Sequence, residues 1–278
     1  MTWALLANAV ASVARSVRGP RRRAGSAGPA ENDLHVWRLC LDTDATALGR
    51  LWDTLSADEQ ARTARFRKPS DRAHFTAARG MLRAILGAHL DQPPDRVQFS
   101  AGPYGKPALA RSSSGLRFNL SHADGLALVA VARGREVGVD IERIQPDAPH
   151  ERLAERFFAR EEAAALRSFP VDARAEAFAR CWVRKEAYVK ARGEGLRLPL
   201  DRFTVSLAAG APAALRGIGS EADEAARWSL MDLPAPAGYA AALAVEGRPG
   251  RRIVADWTPA GVMRSRNRVN AGSQERSL

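Results

Sequence analysis

Apolar positions recur in two rhythms, period two and then period three to four, and the same order of rhythms is met twice along the chain. Leu34 to Leu41, dense in Leu, Val and Trp, predicts a strand. Ala45 to Leu55 predicts a short helix, and Ser56-Ala-Asp-Glu59 is a capping box that opens a second one ending near Phe66. Pro69-Ser70-Asp71 starts a longer helix, in which Met81, Leu82, Ile85, Leu86 and Leu90 form an apolar stripe before Asp91-Gln-Pro-Pro stops it. Arg72, Arg79 and Arg83 lie off that stripe and face solvent or an anion, the solvated reading being the stronger for each. A short strand, Val97 to Ser100, a Gly/Pro loop carrying Lys106, and a strongly apolar strand, Leu126 to Ala132, complete the first half.

The second half repeats that outline. Glu136 to Ile144 predicts a strand, Glu151 to Phe158 and Arg160 to Phe169 predict helices, and Asp172 caps a long helix that runs to about Arg192 and ends at Gly193. Phe203, Val205 and Leu207 alternate as a strand, and Trp228 to Leu233 and Tyr239 to Val245 form a closing hairpin. The pattern therefore predicts an α+β fold, pseudo-duplicated, each half an antiparallel sheet packed against a long helix. The expected divisions are a disordered basic extension (1–30), an N-terminal half (31–135), a C-terminal half (136–250) and a basic, disordered tail (251–278).

Composition narrows the function. The 278 residues are 46% hydrophobic, enough for one substantial domain or two small ones sharing an interface. The net charge of +11 suggests nucleic acid until it is located: the two end segments carry +5 and +4, which leaves +2 on residues 31–250. A near-neutral body argues against a specific nucleic-acid surface. Cys40 and Cys181 lie far apart without metal-type spacing, and each is expected in the core. The run from Trp3 to Ala14 has its arginines after it rather than before it and is too short to span a bilayer, so no membrane segment is expected and a cytoplasmic location follows.

Chemistry concentrates in two stretches. In Val137-Gly-Val-Asp140-Ile-Glu142 the two acids are two apart and share one face of a strand. In Trp182-Val-Arg-Lys-Glu186-Ala-Tyr-Val-Lys190, Glu186 and Lys190 are four apart and share one face of a helix. A strand offering two carboxylates and a helix offering a third beside an ammonium suits Mg²⁺ gripping a phosphate-bearing substrate. Taken singly, either stretch reads as an ordinary surface; together they read as a cleft whose groups face solvent. Lys106, between Gly105 and Pro107, is placed to meet a phosphate, and Ser121 and His122 sit at a strand end where ligands are commonly met.

The ordered set Gly105-Lys106-Pro107, Phe118-Asn-Leu-Ser-His122, Gly138-Val-Asp140-Ile-Glu142, Phe157-Phe158 with Glu162, Trp182 to Lys190, and Gly193-Glu-Gly195 resembles the surfactin-type 4′-phosphopantetheinyl transferases over residues 32 to 247. The resemblance implies a monomer that binds coenzyme A between its halves. It implies transfer of the phosphopantetheine arm to a serine of an apo acyl or peptidyl carrier protein, with release of adenosine 3′,5′-bisphosphate. It assigns Asp140, Glu142 and Glu186 to Mg²⁺ (or Mn²⁺), Glu186 and Lys190 to catalysis, and Lys106, Ser121, a protonated His122, Asp140 and Lys190 to the coenzyme. Arg62 and Arg79 fall where the family places cations near the nucleotide, whereas Glu59 stands near a position where well-known members carry lysine. Glu162 matches a family acid near the metal, or caps its helix. Two rivals remain: a metal-dependent nuclease, which calls for Glu-x-Lys on a strand and a charged body, and a non-catalytic coenzyme A or carrier-protein binder, which calls for a missing acid.

Overall fold

Strand β1 (Leu34–Cys40) alternates so that Trp37 and Leu39 face one core while Leu34 and Val36 face another, and this double burial sets the layering of the whole molecule. The structure, a computed structural model, describes residues 29, 32–110, 114–208, 210–218 and 222–257. The expected extensions therefore lie outside the described residues, apart from Pro29 and the stretch 251–257.

The first half continues with α1 (Ala45–Trp52), α2 (Ala57–Ala64) and the 22-residue α3 (Pro69–Leu90). The capping box of α2 forms as predicted: Ser56 Oγ accepts from Glu59 N, and the Glu59 carboxylate accepts from Ser56 N. Helix α3 has proline in its first turn and ends at Asp91 in the left-handed conformation, with φ of 55°. A small hairpin, β2 (Phe99–Ala101) and β3 (Pro107–Leu109), precedes the long strands β4 (Leu116–Ala123) and β5 (Leu126–Arg133).

The second half opens with β6 (Val137–Arg143), followed by α4 (His150–Phe157), α5 (Arg160–Arg167) and the 19-residue α6 (Arg174–Arg192). Strands β7 (Phe203–Val205) and β8 (Leu215–Ile218), a short α7 (Ala222–Ala226), β9 (Trp228–Asp232), β10 (Tyr239–Glu246) and β11 (Arg252–Trp257) complete it. The main sheets run β11-β1-β5-β4 and β6-β10-β9. Helix α3 buries Met81, Leu82 and Ile85 against the first sheet, and α6 buries Ala187 and Ala191 against the second. The inner faces meet in a third core, where Val36, Leu128 and Ala130 lie against Val139, Ile141 and Leu243. The layers are thus helix, sheet, sheet, helix, as a duplicated α+β unit requires.

Four expectations are corrected. Residues 252–257 are not tail: they pair with β1, in the one parallel ladder among antiparallel ones in the described residues, so the chain's end returns to the first half. Asp172 does not cap α6, whose N-cap is Ala173, with no side-chain cap bond; the aspartate lies in a preceding 3₁₀ turn. Cys40 is exposed at the end of β1, although Cys181 is buried as expected. Arg83 is only 2% exposed: it and Arg79 both donate to Glu59, at 2.6 and 2.7 Å, and Arg83 also caps the carbonyls of Pro94 and Val97.

Candidate active site

On β6, Val137, Val139 and Ile141 enter the middle core, so Gly138, Asp140 and Glu142 face α6. Gly138 is required there: a Cβ would stand 2.1 Å from Ala187 O and 2.3 Å from Ala191 N. Strand and helix backbones therefore touch, and Asp140 and Glu142 are carried directly onto the Glu186–Lys190 face of α6.

Two of the four side chains are in contact, and Glu142 and Glu186 stand near enough for their charges to act on that pair. Lys190 Nζ lies 2.5 Å from Asp140 Oδ1 and 3.0 Å from Ser121 Oγ, and Ser121 Oγ donates to the same carboxylate oxygen at 2.8 Å. Asp140 is 1% exposed, which corrects the expectation of a solvent-facing acid, and its other oxygen, Oδ2, is buried without a partner among the described residues. Burial raises the Asp140 pKa, with Lys190 and Ser121 opposing. Glu142 is pushed up to about 7 by burial, then by the charges of Asp140 and Glu186, with Lys190 opposing. Glu186 is raised by burial and by Asp140, again with Lys190 opposing. Three carboxylates that each disfavour the others' ionisation face a single ammonium.

That balance is what a hard divalent cation corrects. Among the described residues no three His, Cys, Asp or Glu side chains stand close enough together to grip an ion as they are, and Lys190 now neutralises Asp140. The donor set still fits: all ligand atoms are carboxylate oxygens, one buried oxygen lacks a partner, and the local charge is in excess.

Beside these groups a cavity of about 770 Å³ opens between the halves, with Tyr104, Asn119 and Leu120 on the first side and Trp182, Glu186 and Lys190 on the second. The volume is that of a site for a sizeable organic ligand. Tyr104 is half exposed at the rim, with the Arg197 guanidinium 4.8 Å from its ring centroid.

Several expected coenzyme contacts are otherwise engaged. Lys106 borders the cavity, but its ammonium donates to Glu136 Oε2 at 2.7 Å, Ala191 O at 2.8 Å and Val137 O at 3.2 Å, a full set for three N–H groups. Its pKa is lowered by burial, with Glu136 opposing. Ser121 has its one donor on Asp140 and accepts from Lys190 and from Ile141 N. Arg79 is held by Glu59 over the Phe99 ring, away from the cavity lining, and Arg62 lies over Phe75 on an exposed face. His122 has its pKa lowered by burial, then by the charges of Lys190 and His74, which favours the neutral ring while no phosphate lies beside it. Glu162 is a cap and a strut: it accepts from Ala159 N and Val205 N and pairs with the fully buried Lys185 at 2.6 Å. Sequence reasoning passed over Asn119, which lines the cavity; its place two residues before Ser121 on one strand was the available signal.

Two duplicated halves, a cavity between them lined by Glu186 and Lys190, and two further acids close to that pair, Asp140 buried and Glu142 half-buried, define a class: enzymes that act on a phosphate-bearing substrate held between paired α+β units. Comparison with known proteins makes the class specific. Residues 43–134 match the family model of the 4′-phosphopantetheinyl transferase N-terminal region, and residues 136–244 match that of the 4′-phosphopantetheinyl transferase superfamily. The chain is 42% identical over 218 residues to the 4′-phosphopantetheinyl transferase HetI of Nostoc sp., covering 78% of this chain and 89% of that one. It is 36% identical over 162 residues to a putative 4′-phosphopantetheinyl transferase of Synechocystis sp. (58% and 65% covered), and 30% identical over 159 residues to the 4′-phosphopantetheinyl transferase Sfp of Bacillus subtilis (57% and 69%). The chain belongs to the 4′-phosphopantetheinyl transferase superfamily. Among the described residues no helix is long and apolar enough to cross a membrane.

Proposed function

We propose that this chain moves the 4′-phosphopantetheine arm of coenzyme A onto a serine hydroxyl of an apo acyl or peptidyl carrier protein, releasing adenosine 3′,5′-bisphosphate. The observation that carries the reading is the Asp140–Lys190 pair with Glu142 and Glu186 in its electrostatic neighbourhood, beside a cavity shared by the two halves. Asp140, Glu142 and Glu186 would hold Mg²⁺, or Mn²⁺, and the ion when bound would offset the charge on the coenzyme's diphosphate. Glu186, half-buried and with a raised pKa, is a stronger base than an exposed glutamate and takes the proton from the carrier serine Oγ. That oxygen forms a bond to the phosphorus carrying the pantetheine arm, and the bond from this phosphorus to the bridging oxygen breaks. Lys190 Nζ donates to the leaving phosphate; its bond to Asp140 supports this reading. A phosphate near His122 would restore the proton that burial disfavours, giving a charged donor to the coenzyme. Both walls of the cavity come from one chain, which supports a monomer.

The test is incubation with coenzyme A, Mg²⁺ and a panel of apo carrier proteins, read by mass spectrometry. Addition of the arm to at least one carrier, its loss with EDTA and its return with excess Mg²⁺ are expected. Unmodified carriers throughout, with tight coenzyme A binding, would replace this reading by the non-catalytic binder.

A further inference from the structure

Strand β6 is an edge of its sheet. Strand β10 occupies one side, and the strand nearest the other side, β4, belongs to the first sheet. No backbone ladder joins β4 to β6 among the described residues. Side chains meet the edge instead: Val137 O accepts from Lys106 Nζ at 3.2 Å, Val139 N donates to Asn119 Oδ1 at 2.9 Å, and Ile141 N donates to Ser121 Oγ at 3.4 Å. The three β6 residues are two apart, so their backbone groups leave by the same edge. Asn119 and Ser121 are two apart on β4 and share its face. The junction of the halves is thus a row of side-chain bonds, and Asp140 lies between the two amides that cross it.

Asn119 is the member whose work is unassigned. It is 7% exposed. Only the amide oxygen can receive a backbone N–H, so the bond to Val139 fixes which way the group is turned. Removing it leaves the Val139 N–H facing a gap next to the most buried acid of the site.

We propose that Asn119 is a positioning residue: through the Val139 N–H it sets the register of β6, and hence of Asp140, against the first half of the molecule. The kinetic part of this proposal rests on the transferase reading; the structural part does not. A displacement of about 1 Å at a reacting centre lowers rates by about 10²-fold, so a small slip of β6 is enough to matter.

The experiment compares full-length wild type, Asn119→Ala and Asn119→Asp by amide hydrogen exchange and by steady-state kinetics with coenzyme A and a carrier. In Asn119→Ala the Val139 amide is expected to exchange at least about tenfold faster, while the amides of Gly138, Asp140 and Glu142, which alternate toward β10, keep their wild-type rates. Asn119→Asp retains an acceptor at the same reach and is expected to restore protection at Val139. The kinetic expectation is a kcat at least about tenfold lower in Asn119→Ala, with the KM for coenzyme A within about threefold of wild type. Unchanged exchange at Val139 overturns the proposal, as does faster exchange spread over the whole β6–β10 ladder. So does a raised KM with kcat intact, which would make Asn119 a coenzyme contact. Should Asn119→Ala not fold, Ser121→Ala carries the exchange test, with Ile141 quickened and Val139 unchanged as the supporting result. If even wild type transfers nothing, the transferase reading fails, and the exchange data still decide the register claim.

Discussion

Lys190 is the only cation bonded to Asp140 among the described residues, and it sits opposite three carboxylates whose pKa values are all raised. Its replacement by alanine removes both a donor to the leaving group and the charge that keeps Asp140 tolerable in the core. Transfer by Lys190→Ala is expected to fall by about 10²-fold or more, the usual range for a positioned acid, with a lower melting temperature than wild type. A second residue-scale consequence concerns Glu59. Burial pushes its carboxyl up, but the Ser56 amide and the guanidiniums of Arg79 and Arg83 outweigh that and hold it below the usual range. Glu59→Lys would set three cations together and leave Arg83 unpaired inside the protein. The expected loss is about 3–5 kcal/mol by urea titration, the scale of a broken buried ion pair.

Among the elements, β6 and α6 make the site because nothing separates them. The Cβ added in Gly138→Ala would overlap backbone atoms of Ala187 and Ala191, so the strand has to leave the helix. Overpacking of this kind costs about 1–3 kcal/mol or more, and here the displaced strand carries Asp140 and Glu142. Gly138→Ala is therefore expected to lose most transfer activity and stability together, a pairing that kinetics and a thermal melt on the same sample would show. This part of the site was legible in the sequence because short-range periodicity decides it: two-residue spacing put Asp140 and Glu142 on one face, and four-residue spacing did so for Glu186 and Lys190. What stayed hidden depends on partners far along the chain. Lys106 is bonded to Ala191, 85 residues away, and Arg79 and Arg83 reach back to a cap on another helix. A lysine between glycine and proline looks the same whether it awaits a phosphate or a carbonyl.

At the scale of the whole molecule, the two halves are unequal in how they are closed. Beneath the first sheet the His35 and His89 rings lie with centroids 5.2 Å apart and planes tilted by 47°, and burial, then His89, then Arg251 lower the His35 pKa to about 3. The unfolded chain binds this proton below about pH 6.5 and the folded chain does not, so stability is complete above 6.5 and falls as the pH drops toward 3. Between those limits the loss is about 1.4 kcal/mol per pH unit from this group. The urea midpoint of wild type should fall steadily relative to that of His35→Leu from pH 6.5 to pH 5, since the leucine variant carries no such proton. The same sheet is finished by the chain's last described strand, whose arginine-rich surroundings disguised it as tail. Ala255 and Trp257 of β11 are buried to within 1%, and the strand covers the outer edge of β1. A truncation after residue 257 keeps all of this, whereas one after residue 250 opens the β1 edge and uncovers the core beside α3. Losing the buried Trp257 alone costs about 3–5 kcal/mol. The 1–257 chain is therefore expected to melt well above the 1–250 chain. The 1–250 chain is expected to melt far lower or to aggregate, although every group of the proposed active site is still present in it. Equal melting temperatures for the two truncations would show that the first half closes without β11.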